Sequence, residues 1–159
     1  LHAYRTASNG NCGLNSITMK FEFKCETIAA IGTGHTGRSL AVAIDEEARP
    51  LIAYTNTVDE QGPAVLYIAR PNAAYGLING NCGPKVGILF TWKCDLLDSG
   101  GQGAAGNVDL GESVSVSVSP AGWGSVAYTV VDNYYDNSSL KFARQAPTYY
   151  TYLPVTTKK

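Results

Sequence analysis

Apolar and polar residues alternate with a period of two along several stretches of the chain. Leu40, Val42 and Ile44 oppose Ser39, Ala41, Ala43 and Asp45, while Val114, Val116 and Val118 oppose Ser113, Ser115, Ser117 and Ser119. Successive side chains of an extended strand point to opposite faces, so the pattern predicts half-buried β-strands. Strands are expected near 19–29, 38–45, 51–57 and 64–71, and again near 86–97, 112–119, 124–131 and 138–145. Gly-rich stretches at 31–37 and 99–106 part the first strand of each set from the second, and no stretch sustains a 3.6-residue period.

The two sets are copies of each other. Asn-Gly-Asn-Cys-Gly stands at 9–13 and again at 79–83, each time followed by an aromatic stretch ending in cysteine, at 19–25 and 89–94. Residues 39–70 then align with 113–144 at a constant offset of 74, with Ser39, Val42, Ala53, Tyr54, Thr55, Leu66, Ala69 and Arg70 recurring as Ser113, Val116, Ala127, Tyr128, Thr129, Leu140, Ala143 and Arg144. A repeat that cannot bury its own faces stacks on its neighbours. The expected fold is all-β, a single repeat domain over 1–159 with units at about 9–78 and 79–150 and a tail at 151–159. Each unit reads as one four-stranded antiparallel blade of a β-propeller-type assembly. The last-strand motif appears a third time as Leu1-His-Ala-Tyr-Arg5, which predicts an extra N-terminal strand with Arg5 at the place of Arg70 and Arg144. Two blades cannot close a ring, so that strand is expected to pair with a blade edge of another chain, a second copy or a second product of one precursor.

Four cysteines change the picture next. Twelve residues lie between Cys12 and Cys25 and eleven between Cys82 and Cys94, and of the three possible pairings this duplicated spacing favours Cys12–Cys25 and Cys82–Cys94. There is no Cys-x-x-Cys, and His2 and His35 are not spaced to complete a zinc site, so no metal and no cofactor is expected. Disulfides imply an oxidising compartment, hence a secreted, extracellular protein. The chain starts at Leu1 and ends in Lys158-Lys159, which reads as a processed product. Charged residues make up 16 % of the chain and the formal net charge is −1, which leaves no electrostatic footprint for nucleic acid or anionic lipid. No apolar run is long enough to span a bilayer as a helix.

The segment from Cys25 to Thr57, closing with LYIAR, and the second unit's TWKCDLLDSGG and VAYTVVDNYYDNSSLKFAR resemble the blades of secreted, sialidase-like (Asp-box) propeller proteins. The resemblance covers most of the chain and implies a fold more than a chemistry. It departs from the pattern where the strand-turn Asp, present as Asp45, becomes Ser119, and no full Asp box occurs.

A sialidase needs an arginine cluster, a Tyr/Glu pair and an acidic Asp converging on one substrate. The five arginines are Arg5, Arg38, Arg49, Arg70 and Arg144, and three of them sit at equivalent repeat positions, so no catalysis is expected. Propeller lectins instead frame a sugar with Arg, acidic and aromatic side chains in each groove between blades. The candidate ligand-binding residues are therefore Arg70 and Arg144, with Trp123 in a strand-joining turn and Tyr134 and Tyr135 in the loop 132–137. Trp92 follows the strand alternation and is expected in the core. Asp132, Asn133, Asp136 and Asn137 read as turn chemistry rather than a calcium loop. Asn137-Ser-Ser139 is the only glycosylation sequon. The expected function is a non-catalytic, carbohydrate-binding, lectin-like module that partners a glycan and completes itself as a homo-oligomer or with a second chain. The alternatives are a structural subunit of a larger secreted propeller and a sialidase-like hydrolase fragment.

Overall fold

A computed structural model of the chain describes residues 2–5, 10–29, 36–57, 64–72, 80–99, 108–132, 137–145 and 150–155. Among them all regular structure is extended: β1 (His2–Arg5), β2 (Cys12–Asn15), β3 (Lys20–Glu26), β4 (Thr36–Ile44), β5 (Pro50–Thr57), β6 (Ala64–Pro71), β7 (Cys82–Val86), β8 (Leu89–Asp98), β9 (Val108–Val118), β10 (Gly124–Asp132), β11 (Asn137–Gln145) and β12 (Tyr150–Val155). The eight strands expected from alternation are β3, β4, β5, β6, β8, β9, β10 and β11. Strands β2, β7 and β12 carry no such alternation.

Three antiparallel sheets form, none of them closed. The N-terminal sheet has the order β1-β3-β2, the central sheet β4-β5-β6-β8-β7, and the C-terminal sheet β12-β11-β10-β9. This partition corrects the expected units. The cysteine-bearing strand does not open a four-stranded unit; it ends one, because β8 pairs with β6 through Ala69↔Cys94 and Arg70↔Lys93. Likewise β3 pairs with β1 and β2, not with β4. Strand β1 is therefore no orphan, since it finds its partner within the chain. Its register also corrects the place of Arg5. Ala3 lies opposite Cys25 as Ala69 lies opposite Cys94, so Tyr4 takes the position of Arg70, and Arg5 that of Pro71. A slip of one residue exchanges the two faces of a strand, so Arg5 is not the counterpart of Arg70.

With that partition the three sheets are versions of one plan. The pairings Ile52↔Ala69 and Tyr54↔Tyr67 recur as Val126↔Ala143 and Tyr128↔Lys141, at the offset of 74 seen in the sequence. The Ser39 backbone N–H donates to Thr55 Oγ1 at 3.0 Å, and that of Ser113 to Thr129 Oγ1 at 3.1 Å, which gives the repeated threonine a structural reason. Set against the central sheet, the N-terminal one contains the equivalents of β6, β8 and β7 and, among the described residues, none for β4 and β5.

Two apolar cores lie on opposite faces of the central sheet. Leu51, Ala53, Leu66, Ile68 and Leu97 meet Leu110, Val126, Tyr128, Val130 and Ala143 of the C-terminal sheet, with Val114, Val116 and Val118 packed at the side. On the other face Ile52, Tyr54, Ala69 and Trp92 pack with Ile28, which follows β3. Strand β5 is buried along nearly its whole length because both of its faces are covered. Each fully buried Leu or Val contributes about 1.5 to 3 kcal/mol, so stacking is the main source of stability.

Both disulfides are those the spacing favours, Cys12–Cys25 and Cys82–Cys94. Each spans a hairpin whose first asparagine acts as a second backbone. Asn11 Oδ1 accepts from Cys25 N–H at 2.7 Å and its Nδ2 donates to Cys25 O at 3.1 Å. Asn81 does the same to Cys94 at 2.7 and 2.8 Å. The next glycine, Gly13 or Gly83, has a positive φ of 67° or 79°, and a Cβ there would lie 2.5 Å from the Phe23 ring or 2.6 Å from that of Trp92. The repeated Asn-Gly-Asn-Cys-Gly is thus a structural motif in both copies.

Candidate functional site

The β4–β5 and β9–β10 turns lie side by side at one end of the two larger sheets. A Cβ on Gly122 would sit 3.2 Å from Arg49 Nη2, and one on Gly124 would press on Leu51. The turns share a backbone plan, with Asp45 N–H bonded to Arg49 O and Ser119 N–H to Trp123 O. Ala48 and Gly122, at φ of 60° and 78°, hold the same place. In one turn Asp45 Oδ1 accepts from Arg49 N–H at 2.8 Å and Oδ2 from Arg49 Nε at 2.6 Å. In the other, Ser119 Oγ accepts from Trp123 N–H at 3.1 Å. Burial pushes the Asp45 carboxyl upward, but the amide and guanidinium of Arg49, with the Glu47 amide, more than offset it and hold the group below its ordinary value.

Arg70 stands near the same end. It shares a face of β6 with Leu66 and Ile68, the face turned to the C-terminal sheet, and is itself buried. Its guanidinium Nη2 donates to Asp95 Oδ2 at 3.0 Å across β6–β8. Lys93 Nζ lies 3.5 Å from the other oxygen of Asp95. Arg144 has the equivalent place in β11, opposite Ser125 and Thr151, but is exposed. The position matching Asp95 is Leu153, so no acidic residue faces Arg144 at that register.

The structure thus brings Trp123, Arg70 and Arg144 to one end of the central and C-terminal sheets, with Arg70 on the face of the central sheet turned to the C-terminal one. Trp123 is half-buried rather than fully exposed. Tyr134 and Tyr135 lie outside the described residues; the strand ends that flank them, Asp132 and Asn137, pair at the far end of β10 from Trp123. Asn137 is exposed at the start of β11. Trp92 is core, as expected, and its Nε1 donates to Glu26 Oε2 of the N-terminal sheet at 3.3 Å.

Three polar positions escaped the sequence reading. Arg49 sits at the offset of 74 from Trp123, a cue that was present in the alignment. Asp95 and Asp98 carried no periodic signal. Asp98 Oδ2 accepts from Tyr128 Oη at 2.7 Å and from Lys141 Nζ at 2.8 Å, which ties the central sheet to the C-terminal one. The equivalent pair in the central sheet, Tyr54 and Tyr67, stacks at 5.7 Å instead, and burial first, then the neighbouring ring, pushes the Tyr54 hydroxyl up to about 12. Among the described residues no group of three His, Cys, Asp or Glu is placed to hold a metal ion. No protein-family model, curated protein or solved structure matches the chain.

Proposed function

We propose that the chain is a carbohydrate-binding, lectin-like module of a secreted propeller-type protein, and that it acts by binding without catalysis. The observation that carries this reading is the Arg70–Asp95 ion pair near the end of the central sheet that the turn of Trp123 borders. A guanidinium and a carboxylate held together offer paired donors and acceptors to the hydroxyls of a sugar, and an indole offers a flat apolar surface for a pyranose face. Sheets stacked face to face in one repeated register support the propeller-type assembly, and the two disulfides fit an extracellular setting. Glycan-array screening followed by calorimetry tests the reading. Trp123→Ala is expected to weaken the best glycan by about tenfold, the 1.4 kcal/mol of one lost aromatic contact, while the folded structure persists. Absence of any glycan ligand, or binding untouched by Trp123→Ala, overturns it.

A second reading, a non-catalytic structural piece of a larger assembly, is favoured by the apolar residues that β4 leaves uncovered.

A further inference from the structure

Two hairpins of the same plan end in apolar tips that their turns do not require. In the β2–β3 hairpin Ile17 is 91 % exposed with Met19 exposed beside it, and in the β7–β8 hairpin Ile88 is 90 % exposed between Val86 and Leu89, both exposed as well. The first turn is shaped by Asn15, whose Oδ1 accepts from the N–H groups of Ile17 at 2.9 Å and Thr18 at 3.1 Å and whose carbonyl accepts from Met19 N–H at 2.8 Å. The second is built on Gly87, at a φ of 63°. Polar residues suit such turns best, and Met19 holds a positive φ of 53° that glycine or asparagine adopts at less cost. A missing neighbour does not account for the exposure, since Trp92 in the same hairpin as Ile88 is buried, packed with Ile28 and bonded to Glu26.

Each hairpin is stapled by its own disulfide, Cys12–Cys25 or Cys82–Cys94. Among the described residues the last ladder pairings of β3 with β1 and of β8 with β6 are Arg5↔Phe23 and Pro71↔Trp92, with one more bond from Asn72 N–H to Thr91 O. Beyond them runs a two-stranded ribbon of roughly 10 Å, at 3.3 Å per residue. Lysine sits just behind each tip: Lys20 next to Met19, and Lys85 next to Val86 with its Nζ 4.6 Å from the centre of the Phe90 ring. Residues 82–92 hold Lys85 and no acid, and residues 14–24 hold Lys20, Lys24 and Glu22, a formal +2 for the two ribbons against −3 for the remainder of the chain. The whole-chain charge of −1 therefore conceals two basic ribbons and does not exclude an anionic lipid surface. We infer that the two tips are fingers that enter the headgroup layer of such a surface, with Ile17, Met19, Ile88 and Leu89 reaching the acyl boundary and Lys20 and Lys85 meeting the lipid phosphates. Interfacial elements combine an apolar tip and a basic collar in this way at a depth of about 5 to 10 Å, within the length of the ribbons. A protein partner fits less well, because a stable interface takes about 800 Å² per side and a tip of three side chains offers only part of that.

The test is flotation of the chain with vesicles of phosphatidylcholine and phosphatidylserine that carry no glycan, so its outcome is independent of sugar binding. Partition is expected to weaken with added salt and to be about tenfold lower on phosphatidylcholine alone. Ile17→Ser combined with Ile88→Ser is expected to lower it by about tenfold, and Lys85→Gln by about fivefold. The melting temperature should stay the same in these variants, because all three side chains are exposed. Ile88→Trp is expected to keep the partition and to shift its added emission to the blue when the anionic vesicles are present. No partition to those vesicles, partition that the double serine variant leaves untouched, or an Ile88→Trp emission that does not move overturns the inference. So does self-association of the chain that the serine substitutions abolish in the absence of vesicle binding, which makes a second copy the occupant.

Discussion

Leu66 and Leu140 occupy one position in two copies of the same sheet, and they differ as much as two leucines can. Leu66 is 0 % exposed between the central and C-terminal sheets, while Leu140 is 50 % exposed on a face with nothing beyond it among the described residues. Val42 and Val116 invert the relation, since there the central sheet holds the bare residue. Local sequence makes both sheets in the same register; position in the stack decides which face becomes core. The difference teaches that burial here belongs to neighbours and not to the repeat itself.

Matched substitutions sharpen that comparison. Leu66→Ala should destabilise by about 3 to 4 kcal/mol, by lost transfer energy plus a cavity, whereas Leu140→Ala should stay within about 0.5 kcal/mol. Equal losses in urea unfolding would mean that Leu140 is covered in solution. The disulfides form the next pair. Their sequence separations of 13 and 12 give nearly the same chain-entropy term, about 3 kcal/mol each. Cys82 and Cys94 also pack on the core of Trp92 and Ile52, so replacing both by Ala should cost more than replacing Cys12 and Cys25.

Smaller effects follow at polar positions. Asp98→Asn removes the charged acceptor shared by Tyr128 and Lys141, with an expected loss of about 1 to 2 kcal/mol. The same loss should appear in Tyr128→Phe, and the double variant should be less than additive if the three act together. The turns give the last contrast, in pH dependence. Asp45 is held below its ordinary value in the folded protein, so its contribution is present above the unfolded pKa of about 4 and fades as pH falls through the lower folded value. Asp45→Asn should therefore flatten the acid limb of the stability profile, while Ser119→Ala, at the neutral counterpart, should lower the curve slightly without changing its shape. A change of shape with Ser119→Ala would break the parallel between the turns.

Strand positions were legible because period-two alternation marks an extended chain with one apolar face, but not whether that face is covered: Leu40, Val42 and Ile44 of β4 are 62 %, 58 % and 65 % exposed. Partner choice was not, since alternation says nothing of which edge a strand joins. The nine-residue gap between Glu26 and Thr36 looked like a link within one sheet and is a passage between two. Strand β7, CGPKV, is held by a disulfide and by the Asn81 side chain, and such constraints leave no periodic mark. Among site residues, Trp123 was legible as a turn aromatic, but its partial burial was not. Arg70 was singled out by repetition; its acid, Asp95, lies 25 residues on in a strand assigned to the other unit.

The asparagine clamps of the two hairpins bear on the order of assembly. Asn11 reaches Cys25 across 14 residues and Asn81 reaches Cys94 across 13. Loops of that span close in well under a microsecond, and hairpins within microseconds, whereas sheets a whole repeat apart must wait for longer-range encounters. Each clamp thus sets its own cysteines opposite one another within a single hairpin. A chain whose sheets fail to stack is expected to keep its native sulfur pairing, so that thiol titration would not report whether the cores have formed.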